Sequence, residues 1–70
     1  MNQTVRNSVY THRQAKGMTQ EELAEKVGVS RQTIISIEKG NYVPSVLLSL
    51  KLSKTFGCSV NDLFSITYEK

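Results

Sequence analysis

Arg31, Gln32, Ile35 and Ser36 fall on one side of a short helical pattern, Arg31 to Lys39. At about 100° per residue, with Arg31 as zero, they lie between 0° and about 140°. Thr33, Ile34 and Ile37 lie between about 200° and 300°, the side expected to be buried. The exposed set carries hydrogen-bonding chemistry. Arg31 offers a planar fork of donors that matches O6 and N7 of guanine. Gln32 offers one donor and one acceptor, which match N7 and N6 of adenine. An isoleucine on an otherwise polar face needs a reason. Ile35 could touch a thymine methyl group, or it could meet a protein partner. Ser36, one turn further on, reaches a base edge or a phosphate.

No bond-breaking chemistry accompanies this face. Asp62 and Glu69 are isolated acids, Cys58 has no histidine near it in sequence, and no glycine-rich loop follows a strand. One histidine and one cysteine do not make the usual soft-ligand zinc set. Neither an enzyme nor a cofactor site is expected. Cys58 reads as a buried thiol acting as a small hydrophobe, with a redox switch as the alternative.

The surrounding pattern must hold that helix. In Gln20 to Lys39, Leu23, Ala24 and Val27 recur at helical spacing before a break at Gly28-Val29-Ser30, and Ile34 and Ile37 after it. Thr19 and Glu22 form a capping box, T-x-x-E, at the start of the first segment. Gly28 suits the left-handed conformation that ends a helix. Ser30 caps the next. The tight turn implies a steep crossing, and Ala24 is the small residue at the contact. Glu21, Glu22 and Glu25 read as solvated surface near a helix N-terminus.

This stretch resembles the helix-turn-helix of the Cro/repressor type, the XRE-like regulators. Counting from Gln20, the family pattern wants a small residue fifth, glycine ninth and aliphatics fifteenth and eighteenth. Ala24, Gly28, Ile34 and Ile37 fill those places. Gly17-Met18-Thr19-Gln20 before, and Ile37-Glu38-Lys39-Gly40 with Pro44-Ser45 after, agree as well. The resemblance runs from the first helix to Phe64. It implies an all-α, five-helix repressor-like domain whose base-reading positions are Arg31, Gln32 and Ser36, with Ile35 nearby. It also places a phosphate contact at Gln20, where free amide groups and the helix dipole favour an anion. Ser30, Thr33, Lys39, Asn41 and Tyr42 are further phosphate candidates. Lys51 and Lys54 either join them or form a solvated helix face. Glu38 borders the buried side of its helix, near the expected position of Arg13. In related repressors an arginine of the first helix pairs with a glutamate at this place, so Arg13–Glu38 is expected to be a structural ion pair.

The remaining helices follow from spacing. Val5 to Lys16 reads as helix one, with Val5, Val9 and His12 on one face and Arg13 beside it. His12 stands where relatives carry an aliphatic, and is expected to be half-buried and hydrogen-bonded. Helix four runs from after Ser45 to Phe56. Val46, Ser49, Leu50, Leu52, Ser53 and Phe56 share its broad face, and Leu47 falls opposite with Lys51 and Lys54. Ser59-Val60-Asn61-Asp62 is a second capping box, opening a short helix through Phe64. The tail from Ser65 to Tyr68 alternates polar and apolar β-favouring residues. Some short relatives pair such a tail with their own N-terminal residues and use it in a dimer, whereas a frayed tail is the simpler reading.

Seventy residues with a net charge of +3 allow one domain, a small core and a mild preference for anionic partners. The organisation expected is one helix-turn-helix domain over 1–70, with the motif at about 20–39 and a dimerisation tail at 63–70. Leu47, Leu63, Phe64, Ile66 and Tyr68 are the expected dimer residues. The partners expected are double-stranded DNA, a second copy, and a regulatory or toxin protein as the rival, with no membrane. A lone cysteine and the absence of an N-terminal apolar run fit a reducing cytoplasm.

Overall fold

The computed structural model describes residues 2–69. The order is β1 (Asn2–Asn7), α1 (Val9–Ala15), α2 (Gln20–Val27), α3 (Arg31–Lys39), α4 (Val46–Phe56), α5 (Val60–Leu63) and β2 (Phe64–Glu69). Five helices thus surround one core, and the two strands form an antiparallel ribbon. "All-α" is too narrow a class for this chain. The expected first helix is also too long. Val5 lies in β1 opposite Ile66, and the ladder runs unbroken from Asn2↔Glu69 to Asn7↔Phe64. The tail therefore pairs with the N-terminal residues.

Every helix of the motif starts and stops where its own residues dictate. Thr19 Oγ1 accepts from the Glu22 N–H at 3.0 Å and the Glu22 carboxylate accepts from the Thr19 N–H at 2.8 Å. Ser30 and Ser45 cap α3 and α4 through their hydroxyls. Gly28 ends α2 at φ 76°, and a side chain there would meet no neighbour. The requirement for glycine is thus one of backbone conformation, since a Cβ is strained in the left-handed region.

The core is Val9, Leu23, Ala24, Val27, Ile34, Ile37, Leu48, Leu52, Phe56 and Leu63. Ala24 is buried, as the α2–α3 crossing requires. α4 departs from its expected face. It buries Leu48, Ser49, Leu52, Ser53 and Phe56, while Val46 and Leu50 lie exposed. The two serines let α4 approach closely without leaving hydroxyls unpaired. Ser49 Oγ donates to the Ser45 carbonyl and Ser53 Oγ to the Leu50 carbonyl, both at 2.9 Å. His12 is half-buried, as expected. Its Nδ1 lies 2.9 Å from the Ser8 carbonyl, and its ring sits 5.6 Å from that of Phe56. Cys58 is only half-buried, and desolvation followed by the charge of Asp62 pushes its thiol up.

The two capping boxes carry a pH signature. The backbone N–H of Thr19 holds the Glu22 carboxyl below its ordinary value, and that of Ser59 does the same for Asp62. A carboxyl whose folded pKa is depressed contributes stability above the unfolded value, and that contribution is lost as pH falls through the folded one. The melting temperature should therefore fall between about pH 6 and about pH 3 by less in a Glu22→Gln/Asp62→Asn variant than in the parent chain. An equal fall in both, read by circular dichroism, would remove the caps from the account.

Candidate nucleic-acid interface

α3 is divided lengthwise. Ile34 and Ile37 are fully buried, whereas Arg31 and Gln32 in the first turn are exposed and Ile35 and Ser36 half-buried. Gln32 Nε2 lies 3.4 Å from Ser36 Oγ, so the amide and the hydroxyl work side by side. Ser30 Oγ accepts from the Thr33 N–H at 3.2 Å and lies 3.0 Å from Thr33 Oγ1. Beyond α3, Gly40 turns left-handed and the Asn41 N–H returns to the Ser36 carbonyl at 2.9 Å. This closure satisfies helix-end carbonyls and folds the next loop back along α3. A shallow groove of about 330 Å³ results, lined by Gln32, Thr33, Ser36, Asn41 and Tyr42. A second groove, of about 550 Å³, lies between the starts of α2 and α3 and is lined by Arg13, Thr19, Gln20, Glu21 and Arg31.

The sequence-derived residues thus gather around the first turn of α3, with Lys39 exposed at its far end. Lys51 and Lys54 line neither groove. They face Lys26 and Glu25 at the C-terminal end of α2.

Behind this surface lies the ion pair. Arg13 Nε donates to Glu38 Oε2 at 2.6 Å and Nη2 to Oε1 at 3.1 Å, with the two side chains 8% and 7% exposed. Nη1 donates to the Met18 carbonyl at 2.8 Å, and the Tyr10 ring centroid lies 5.3 Å from the guanidinium carbon. The hydrogen bond to Glu38 holds Arg13 yet more firmly protonated, against the opposing effect of burial. Gln20 Nε2 donates to the same Oε1 at 3.1 Å. The side-chain amide of Gln20 is therefore engaged inward, and an anion at this place would meet its backbone N–H at the start of α2. Sequence reasoning missed that bond, and also the role of Asn7, whose amide donates to the Ile37 carbonyl at 2.9 Å. An asparagine just before a helix was a visible capping signal, but its second partner is remote in sequence.

The expected dimer residues divide. Leu63 is 1% exposed and belongs to the chain's own core, so its side chain is not available to a second copy. Phe64 is half-buried and packs against that core. Leu47, Ile66 and Tyr68 are exposed. Val46, 76% exposed, and Leu50, which the expected packing of α4 had hidden, are further exposed aliphatics beside Leu47, and Val43 in the preceding loop is exposed as well.

A helix-turn-helix family model matches residues 9–63 of this chain. The chain belongs to the XRE-type helix-turn-helix transcriptional regulators. It is 50% identical over 60 residues to an uncharacterized HTH-type transcriptional regulator of Methanocaldococcus jannaschii, MJ0272, covering 86% of this chain and 91% of that one. It is 48% identical over 65 residues to YgzD of Bacillus subtilis, an uncharacterized HTH-type transcriptional regulator, covering 93% and 98%. The fold is similar to the crystal structure of the restriction-modification controller protein C.AhdI from Aeromonas hydrophila. The TM-score is 0.72 at 30% identity, over 77% of this chain and 82% of that one. This regulator is not an enzyme, and among the described residues no helix is long and apolar enough to cross a membrane.

Arg13→Ala should leave a buried carboxylate without its cation and cost about 3–5 kcal/mol, a large share of the stability of so small a domain. Replacing both partners, as Arg13→Met/Glu38→Leu, should recover most of that loss in thermal melts. A double variant no more stable than Arg13→Ala alone would contradict the pairing.

Proposed function

We propose that this chain is a sequence-specific repressor that binds a near-palindromic operator as a homodimer. One observation carries the reading. The first turn of α3 presents Arg31 and Gln32 to solvent on a helix whose opposite side is locked into the core. A helix of that width fits the major groove of B-DNA, and its N-terminal residues are the ones that reach base edges. Arg31 would take guanine, Gln32 adenine, Ile35 a thymine methyl group and Ser36 a base or a phosphate. The backbone N–H of Gln20, with Ser30, Thr33, Lys39, Asn41 and Tyr42, would hold the sugar-phosphate backbone on either side. Such contacts set register and supply salt-sensitive affinity without reading sequence.

A second copy is supported by size and by surface. A 70-residue chain has a marginal core. Its exposed aliphatics Val43, Val46, Leu47 and Leu50 continue directly from the Asn41-Tyr42 loop at the α3 groove. Ile66 and Tyr68 on the ribbon are the other exposed apolar candidates.

Selection from a random duplex library tests the proposal. The expected result is a near-palindrome with half-site centres about 10 base pairs apart, bound far above random DNA. Weak, salt-sensitive binding with no enriched motif would contradict it. Gln32→Ala should weaken the selected site by about 1–3 kcal/mol and relax one base position in each half-site. An equal loss on every sequence would make Gln32 a phosphate contact instead.

A further inference from the structure

Asn7 is the last residue of β1 and pairs with Phe64, the first residue of β2. Its side chain faces two elements at once. Oδ1 accepts from the Val9 N–H at 3.1 Å, which caps α1 in place of Ser8, whose own hydroxyl does not cap it. Nδ2 donates to the Ile37 carbonyl at 2.9 Å, in the last turns of α3. That carbonyl also takes the Gly40 N–H at 3.0 Å. The next residue ties the same junction to α5. The Ser8 N–H donates to the Leu63 carbonyl at 2.9 Å and Ser8 Oγ to the Asp62 carbonyl at 3.0 Å.

α3 is therefore gripped toward its C-terminal end, by Asn7 at Ile37 and by Arg13 at Glu38. Its N-terminal turn, about 8 Å away along the axis, is exposed and held by its local Ser30 cap. A rod fixed near one end magnifies any play in the grip at the other. We propose that Asn7 is a positioning residue for DNA reading: its amide pins α3 to the base of the ribbon and fixes the angle at which Arg31 and Gln32 enter the groove. This rests on the proposal that α3 reads base edges.

Asn7→Asp isolates that role. The carboxylate still accepts from the Val9 N–H and suits the N-terminus of α1, but it cannot donate to Ile37. Asn7→Ser is the second variant: its hydroxyl can cap α1 and is too short to reach Ile37. Affinity is measured for the selected operator and for a scrambled duplex of equal length. Salt is held fixed, at a temperature where melting curves show each protein folded. Gln32→Ala runs alongside. The expected result for Asn7→Ser is unchanged affinity for the scrambled duplex and a two- to tenfold loss per half-site on the operator, about the worth of one hydrogen bond. Asn7→Asp shows the same further loss on the operator beyond whatever its added negative charge takes from both duplexes. Preference should flatten at the positions read by both Arg31 and Gln32. An unchanged operator-to-scrambled ratio in both variants would overturn the inference, as would equal losses on the two duplexes. If Gln32→Ala leaves discrimination intact, the reading of α3 itself fails, and this inference with it.

Discussion

The structure depends on one buried ion pair. Charges as hidden as Arg13 and Glu38 are costly unless their side-chain nitrogens and oxygens find hydrogen-bond partners. Here they do. Glu38 takes two donors from Arg13 and one from Gln20, and Arg13 gives its remaining donor edge to the Met18 carbonyl. The pair therefore joins α1, α3, the start of α2 and the turn between α1 and α2 through side chains whose geometry is fixed. Apolar contact at Ile34 and Ile37 would hold α3 against the core, but apolar contact is non-directional. The bidentate pair adds orientation.

Orientation is what a reading helix needs. α3 has only nine residues, and they serve three purposes. Ile34 and Ile37 anchor it, Glu38 and the Ile37 carbonyl orient it, and Arg31, Gln32 and Ser36 remain free for a ligand. The caps keep these purposes separate. The Ser30 hydroxyl satisfies the Thr33 N–H locally, and the left-handed Gly40 closes the end. No residue of the exposed first turn is needed to complete the helix itself.

How much of this was legible depended on whether the signal was local. α2 and α3 announce themselves because caps, glycine stops and apolar spacing all lie within twenty residues and agree. The Arg13–Glu38 pair was legible through the family resemblance together with the helical wheel. Val5 misled because it lies four residues before Val9, a spacing that a helix and a strand both allow. What decides is Ile66, across the ladder and far along the chain. α4 misled for another reason. Val46, Leu47, Leu48, Leu50 and Leu52 make it apolar almost all round, so periodicity could not choose a face. The buried seam keeps Ser49, Leu52, Ser53 and Phe56 of the expected face and takes Leu48 in place of Val46 and Leu50. Leu63 was placed outside because the orientation of a four-residue helix is set by what it packs on, here the core itself.

The most direct test of the central claim is the side-chain ¹H–¹⁵N spectrum during titration with the selected duplex. The account predicts that the Arg31 Nε–H and the Gln32 amide shift strongly, while the Arg13 Nε–H, locked on Glu38, stays in place. Large shifts confined to the ribbon or α4, with Arg31 and Gln32 unmoved, would contradict it.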